Sequence, residues 1–274
     1  MHPSRDIVVL GRTNFRASGK LFGIHTEDRL AHLYVIGKTG TGKSTLLENL
    51  IRQDIAAGRG VALLDPHGDL VERVLASVSD ERRADLIYFN APDCESALAF
   101  NPLEHVAPNR RAFAASALLD QPEATLADIV RLLDEPSFRK SAAERVADAH
   151  VRRFWLREYE GYPVRFRAEA VAPIQNKVGA FLAHPVLQRI LTQPKSSFDL
   201  RRVMDEGQVL LVNLAKGKIG EDAAALLGAM LVSSIGAAAL SRADRGEAER
   251  REFFLYLDEF HTFTTRSLAG ILAE

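Results

Sequence analysis

The sequence predicts an α/β protein with a mainly parallel sheet, interrupted by a long all-helical segment. Three observations lead to this prediction. Residues 32–65 read as strand, helix and strand, and a unit of this kind makes its two strands parallel. Helical patterns then fill residues 110–200 with few strand signals. Apolar, strand-like runs return at 207–215 and 252–260.

The first strand–helix–strand unit is read from its apolar runs. "HLYVIG" (32–37) ends at a glycine and predicts a buried strand. The helix that follows ends near Gly58. "GVALLD" (60–65) predicts the second strand and "DLIYFN" (85–90) a third. The helix carries its apolar side chains on one face, namely Leu46, Leu47, Leu50, Ile51 and Ile55.

The domain boundaries are predicted from breaks in this pattern. Prolines at 92, 102 and 108 interrupt the chain, and strand signals become scarce beyond them. We therefore expect a first core segment, an all-α insertion and a second core segment, at 1–105, 106–205 and 206–274.

Composition restricts the class of protein. Of 274 residues, 35 are Lys or Arg and 36 are Asp or Glu, for a net charge of −1. This balance by itself does not demand a nucleic-acid partner. A single cysteine excludes a disulfide within the chain and suits a reducing cytosol. The most apolar run, 223–240, is rich in Ala and follows two acids, so we expect a buried helix rather than a membrane span. The predicted location is cytoplasmic.

The stretch "GKTGTGKST" has the spacing of a phosphate-binding P-loop. Gly37 is followed by four residues and then by Gly42, Lys43 and Ser44, with a predicted strand before and a helix after. Glycines let backbone N–H groups surround phosphate oxygens, and the helix N-terminus attracts the same anion. Lys43 is expected to reach the β and γ phosphates and Ser44 to bind Mg²⁺. The predicted nucleotide-binding residues are Gly37, Lys38, Thr39, Gly40, Thr41, Gly42, Lys43, Ser44 and Thr45.

Two acids end the last apolar run, "FFLYLDEF". Hydrolysis of a nucleotide needs a metal-orienting acid and a base that activates water. Asp258 is predicted to hold Mg²⁺ beside the P-loop, and Glu259 to orient or deprotonate the attacking water. Lys43 and Glu259 are therefore the predicted catalytic residues. The alternative is a pair of solvated acids at a strand end.

Two further strand ends carry candidate site residues. Asp65 and His67 follow the second strand, at the sheet edge where open α/β sheets bind ligands. An equally good interpretation is a tight turn in which Asp69 caps the next helix. Lys216 and Lys218 follow the fourth strand and are candidates for contact with a γ phosphate, or they belong to a solvated turn.

The predicted insertion contains a cluster of basic and aromatic residues. Residues 139–169 hold eight Lys or Arg against five acids. This mixture is found in sites for nucleic-acid backbones, but an amphipathic helix with its aromatics in a core is the more common origin. The interleaved aromatics are Phe154, Trp155, Tyr159 and Tyr162.

Several stretches together resemble the HerA–FtsK superfamily of P-loop ATPases, and within it bacterial relatives of type IV secretion coupling proteins. They occur in that superfamily's order and cover nearly the whole chain: "HLYVIGKTGTGKSTLLENL", "LLDPHGDL", "AFNPLE", "NLAKGKIGED" and "LYLDEFHTF".

This resemblance implies a RecA-like ATPase core with an inserted all-α domain. It implies a homo-hexameric ring that hydrolyses ATP with Mg²⁺ and moves DNA through its pore, in conjugation, DNA transfer or DNA processing. Secretion or nuclease proteins would be its partners. Lys43 and Ser44 match the Walker A positions, and Asp258 and Glu259 the Walker B positions.

The chain also differs from the coupling proteins of this superfamily in two respects. It has no N-terminal membrane helices of the kind coupling proteins carry, and so looks like a soluble relative. It ends soon after the Walker B acids, so we expect a C-terminally truncated form. Two alternatives stay open: a motor of the same core that acts on protein, and a nucleotide-binding assembly module that hydrolyses nothing alone.

Overall fold

The structure is a computed structural model that describes residues 7–15, 19–93, 95, 97–104 and 116–263. The single cysteine, Cys94, lies outside these residues. The chain divides into two compact units, Met1–Asn90 with Leu200–Glu274 and Ala91–Asp199. The boundaries predicted near residues 105 and 205 lie further along the chain, and the division into domains stays a prediction.

The first unit is built on a parallel sheet of four strands in the order β4-β5-β3-β6. Val61 of β3 pairs with Val209 of β5, and Gly60 pairs with Phe253 of β6. The predicted α/β class is thus confirmed. The strands of this sheet are β3 (Gly60–Asp65), β4 (Leu86–Asn90), β5 (Val209–Asn213) and β6 (Phe253–Leu257).

Helices pack around this sheet. The two central strands, β3 and β5, are buried at every residue, as expected for strands covered on both faces. The helices of this unit are α1 (Thr26–Arg29), α2 (Lys43–Ala56), α3 (Asp69–Leu75), α4 (Asp80–Arg83), α12 (Leu200–Glu206), α13 (Lys216–Ile219) and α14 (Glu221–Ser241), with 3₁₀ turns at Arg242–Asp244, Glu247–Glu249 and Phe260–Phe263.

The predicted strand at 32–37 is wrong. In the structure these residues are irregular, and Leu33, Tyr34 and Ile36 are exposed. A strand requires a hydrogen-bonded neighbour. Within the described residues, β6 ends the sheet and pairs with β3 alone. The apolar run therefore has the composition of a strand but no partner that would make it one.

An N-terminal hairpin was not foreseen from the sequence. Strands β1 (Ile7–Arg12) and β2 (Leu21–His25) pair antiparallel. The side chain of Gln53, on α2, accepts from the Val9 N–H at 2.8 Å and donates to the Val9 carbonyl at 2.9 Å. The hairpin is therefore joined to the helix that begins in the P-loop.

The second unit is helical in every regular element that the structure describes. Its core includes Trp155 and Tyr159, which lie in a π-helical turn and the short helix after it. Its elements are α5 (Ser116–Leu119), α6 (Ala127–Asp134), α7 (Pro136–Arg145), α8 (Ala149–Arg153), the π-helix Phe154–Glu158, α9 (Tyr159–Gly161), α10 (Val164–Leu182) and α11 (Pro185–Leu191).

Two aromatic residues and one arginine of the basic and aromatic cluster are buried in the core of this unit. Trp155 is 2% and Tyr159 5% exposed. Arg139 is 3% exposed, and it donates to Glu160 at 2.7 Å and to the Leu132 carbonyl at 2.9 Å. These three residues pack a core and are not available to a nucleic-acid backbone, whereas other arginines of the cluster, such as Arg153 and Arg165, are exposed.

Helix α14 is the apolar helix expected from the sequence. Glu221–Asp244 has the length and mean hydropathy of a membrane span, and it alone does so among the described residues. Many of its side chains are buried within the first unit, including Leu227, Leu231 and Val232, as in the core helix of a globular domain.

Gly228 on α14 lies directly under the ring of Phe263. A Cβ at this position would overlap that ring and stand 3.0 Å from Leu214 Cδ1. We predict that Gly228→Ala lowers the free energy of unfolding by about 1–3 kcal/mol through overpacking. The matched control is Gly179→Ala on α10, where a Cβ meets nothing within 4 Å. It should stabilise the protein, because alanine is the better helix former by up to about 1 kcal/mol. Equal effects of the two changes in denaturant titrations would contradict this prediction.

Candidate functional site

The candidate site lies at the carboxyl edge of the sheet, where β3, β5 and β6 end in polar residues. Parallel strands bring such residues together at one edge, which is the ligand-binding edge of open α/β sheets. β3 ends at Asp65, β5 at Asn213, and β6 leads into Asp258 and Glu259. The P-loop lies at the same edge, because its residue Ser44 contacts Asp258.

The P-loop has a backbone that only glycine adopts readily. Gly40 and Gly42 have φ of +81° and +91°, in the left-handed region. Helix α2 begins directly after Gly42, at Lys43. Its first N–H groups have no intrahelical acceptor and therefore face the loop. An anion-binding helix terminus thus follows the two glycines.

Lys43 places its charge over the same loop. Its Nζ donates to the carbonyl of Gly37 at 2.8 Å and to that of Lys38 at 3.0 Å. Thr41 closes the loop, since its hydroxyl donates to the Lys38 carbonyl at 2.7 Å. The remaining predicted loop residues, Thr39 and Thr45, are exposed.

Ser44 and Asp258, 214 positions apart in sequence, are in direct contact. The Ser44 hydroxyl donates to Asp258 Oδ2 at 3.2 Å. Asp258 continues the ladder beyond β6, because its N–H donates to the Leu64 carbonyl at 3.2 Å. The sheet therefore carries the acid to the first turn of the P-loop helix, as the sequence predicted.

Asp258 as a whole residue is only 8% exposed. Burial raises its pKa, aided by the negative charges of Asp65 and Glu259, although hydrogen bonds from Ser44 and the Glu259 amide act in the opposite direction. A cation bound beside this carboxylate would favour its charged form.

The donor set suits a hard cation that keeps other ligands. Hydroxyl and carboxylate oxygens are the ligands that Mg²⁺ takes from proteins, with water and substrate phosphates completing its shell. Among the described residues, no group of three or more His, Cys, Asp or Glu side chains could hold a metal. Ser44 and Asp258 thus fit Mg²⁺ that arrives with a nucleotide, not a closed protein cage.

Glu259 is paired with two groups from neighbouring strand ends. Its Oε2 lies 3.0 Å from His67 Nε2 and 3.5 Å from Lys216 Nζ. Partial burial acts to raise the pKa of Glu259, but these two partners outweigh it and lower the pKa. The structure therefore brings together four predicted site residues, Asp258, Glu259, His67 and Lys216.

Asp65 has a structural task in this arrangement. Its carboxylate accepts from the His67 N–H at 2.8 Å and from the Leu70 and Val71 N–H groups at 2.8 and 3.1 Å. It thereby caps α3, the role that the alternative interpretation gave to Asp69. Asp69 itself is exposed.

Lys218 does not join the cluster. Its side chain is exposed, and the part of the chain that the structure describes offers it no hydrogen-bond or ion-pair partner. Lys216 and Lys218 lie two residues apart on α13, so the turn directs only the first towards Glu259.

A buried polar network behind the site was missed from the sequence. Asp54 on α2 is 0% exposed, and Arg29 binds both its oxygens at 2.7 Å. The Tyr256 hydroxyl, on β6, donates to the same carboxylate and accepts from Arg29 at 2.6 Å. Arg59 also reaches Asp54, at 3.2 Å. The one sequence signal is an acid on the apolar face of α2.

This network joins the P-loop helix to the strand that carries Asp258. Burial and the nearby Asp54 charge raise the pKa of Tyr256, so its hydroxyl stays protonated and donates. A second contact lies next to Glu259 in sequence. The rings of Tyr34 and Phe260 meet edge to face with centroids 5.1 Å apart. The two contacts join α2 and the segment before the P-loop to β6 and to the 3₁₀ turn that follows it.

Comparison with solved structures supports the same fold. The conjugative coupling protein TrwBΔN70 from bacteria, in its unbound form, matches with a TM-score of 0.60 and 21% identity over 92% of this chain. The plasmid coupling protein TrwB in complex with ADP and Mg²⁺ matches with 0.59 and 20% over 96%. The chain spans 61% and 64% of the length of these two chains. The likeness confirms the predicted RecA-like P-loop core.

Sequence comparison identifies the family. No curated protein matched the chain. The family model "Helicase HerA, central domain" matches residues 23–178, more than half of the chain. That span includes the P-loop and the capped turn at Asp65. The chain therefore belongs to the HerA helicase central-domain family.

Proposed function

We propose that the chain is an ATP-hydrolysing motor that translocates DNA, acting as a hexameric ring in the cytoplasm. Its setting would be conjugation, DNA transfer or DNA processing. The family membership supports a motor of the helicase type. The structural likeness to a conjugative coupling protein supports the DNA-transfer setting.

One observation carries the enzymatic part of the proposal. The Ser44 hydroxyl lies 3.2 Å from Asp258, and Glu259 follows on the same turn. A phosphate-binding loop, a metal-orienting acid and a candidate base thus meet at one sheet edge, which is the minimum set for phosphoryl transfer to water.

Each residue of this set has a task that follows from its place. The N–H groups around Gly40 and Gly42 would bind phosphate oxygens, and the Lys43 ammonium would exchange its two carbonyl partners for the more negative β and γ phosphates. Ser44 and Asp258 would hold Mg²⁺. When bound, this ion neutralises charge on the phosphate oxygens.

Glu259 is the residue of the set that can act on water. Its carboxylate would accept a hydrogen bond from the attacking water and orient it, then take its proton. TrwB has been solved with ADP and Mg²⁺ bound, which supports a nucleotide and Mg²⁺ as the ligands proposed for this chain.

The P-loop lysine gives a direct test of nucleotide binding. We predict that Lys43→Ala reduces phosphate release to background, because the β and γ phosphates lose their charged donor. Binding of a fluorescent ATP analogue should fall with it. Lys20→Ala, at an exposed lysine remote in sequence from the loop, is the matched control and should leave both unchanged. Wild-type binding and turnover in Lys43→Ala would exclude the proposed site.

A separate experiment tests whether the motor moves DNA. ATP turnover is measured with and without single- and double-stranded DNA, alongside the mass of the protein in solution. Stimulation that weakens steeply with salt is expected for a DNA motor, because phosphate contacts release counterions. If DNA of any length left turnover unchanged, DNA would be excluded as the substrate of the motor, and a protein substrate would be favoured. ATP binding without turnover would instead favour an assembly module.

A further inference from the structure

The candidate base is held by partners that themselves lie on fixed loops. The His67 N–H is bonded to Asp65 Oδ1 at 2.8 Å. The Lys216 N–H donates to the Pro66 carbonyl at 2.7 Å. The turn after β3 and the turn after β5 are therefore joined through their main chains, and both His67 and Lys216 start from this joined backbone.

Gly68 lies in the turn after β3 and packs against the end of β5. It has φ of +92°, and a Cβ there would stand 2.6 Å from the Asn213 side-chain oxygen. Only glycine satisfies both the conformation and the close approach. The turn that presents His67 is thus seated directly on the end of β5, which limits how far the imidazole can move.

Glu259, in contrast, has an unusual backbone. Its φ is +46°, a conformation that few non-glycine residues adopt and that is enriched at functional sites. Its N–H donates to Asp258 Oδ1 at 3.1 Å. Its side chain is 38% exposed, and its Oε2 is the oxygen that meets both His67 and Lys216. The carboxylate is turned towards these two donors.

A carboxylate in this pairing is poorly placed to act on water. Its Oε2 already accepts from two donors, and these fix the direction in which the carboxylate points. With its proton on Nε2, a neutral imidazole donates to Glu259 as a charged one does, so the contact does not need a protonated histidine.

We propose that His67 and Lys216 hold Glu259 in a resting position. The triphosphate weakens this hold by attracting Lys216, and the contact with His67 remains to slow turnover. This inference rests on the proposed ATPase function. Lys216 is already at the sheet edge that the P-loop faces, and phosphate oxygens compete with a single carboxylate for its ammonium. His67 is then a positioning residue: it acts on turnover only through Glu259.

The test measures the ATP turnover of His67→Ala without DNA, which is the basal rate. Basal kcat should rise about fivefold, the size expected for one charge-assisted hydrogen bond at a half-exposed site. KM should stay near wild type, because His67 acts through Glu259. His67→Gln, which keeps a donor, should restore the low basal rate. His25→Ala, at an exposed histidine on β2, should change nothing.

A second readout does not depend on turnover. In the absence of nucleotide, the pairing predicts that the Tm losses of His67→Ala and Glu259→Gln are not additive, as in a double-mutant cycle for contacting residues. Additive losses would overturn the pairing. An unchanged or lowered basal kcat in His67→Ala would overturn its restraining role. If Glu259→Gln still abolished turnover in that case, the proposed ATPase function would survive and only this inference would fall.

Discussion

Replacing Glu259 by Gln is expected to lower ATP turnover by about two orders of magnitude or more while ATP stays bound. The amide keeps the size of the side chain but cannot take a proton from water, which is the contribution of a general base. The P-loop, Lys43 and the Ser44–Asp258 contact at 3.2 Å are left intact. Turnover is followed by phosphate release and binding by a fluorescent ATP analogue.

The comparison with Lys43→Ala makes this result specific. Lys43→Ala should lose binding and turnover together, whereas Glu259→Gln should lose turnover alone. Glu81→Gln changes an exposed glutamate on α4 in the same chemical way and serves as control. If both site variants lost ATP binding equally, Glu259 would not have the role proposed for it.

Replacing Asp54 by Ala is expected to cause the largest loss of stability, about 3–5 kcal/mol of the free energy of unfolding. The change leaves the Arg29 guanidinium, whose side chain is 5% exposed, without its carboxylate, and an uncompensated buried charge is costly. Tyr256 also loses its acceptor. Denaturant titrations of the purified variants measure the difference.

An exposed aspartate supplies the control for this second result. Asp80 pairs with Arg83 at 3.0 Å, but its side chain is 94% exposed. Asp80→Ala should therefore cost no more than about 1 kcal/mol. A similar small loss in Asp54→Ala would show that the buried network does not stabilise the fold.

The Asp54 variant also tests how the site is held together. Asp54 belongs to the P-loop helix and Tyr256 to the strand two residues before Asp258. Loss of their contact should weaken ATP binding as well as stability. A folded variant that bound ATP like the wild type would confine the network to a purely structural role.

The sequence alone predicted the phosphate loop and the two acids, because their chemistry is carried by residue types at fixed spacing. The α/β class was inferred from short apolar runs, typical of buried strands, separated by a segment whose apolar residues recur at helical spacing. The spacing of apolar residues indicates which side chains are buried. The resemblance to the HerA–FtsK superfamily came from the order of these stretches, and the family match confirms it.

Local patterns failed where a structure depends on a partner remote in sequence. The run at 32–37 is apolar enough for a strand, but pairing decides whether it becomes one. The hairpin of β1 and β2 was missed although its strands are close in sequence, and its attachment to α2 through Gln53 could not be read from a local pattern. Trp155 and Tyr159 were ambiguous until their burial was known.

For this protein, composition and spacing were sufficient to predict a phosphate-binding loop at residues 37–45 and an acid pair at 258 and 259. Only the tertiary structure showed that Asp65 caps a helix, that His67 and Lys216 meet Glu259, and that Lys218 does not. The reason is that a residue's type limits the bonds it can make, whereas the fold decides which groups come within reach of it.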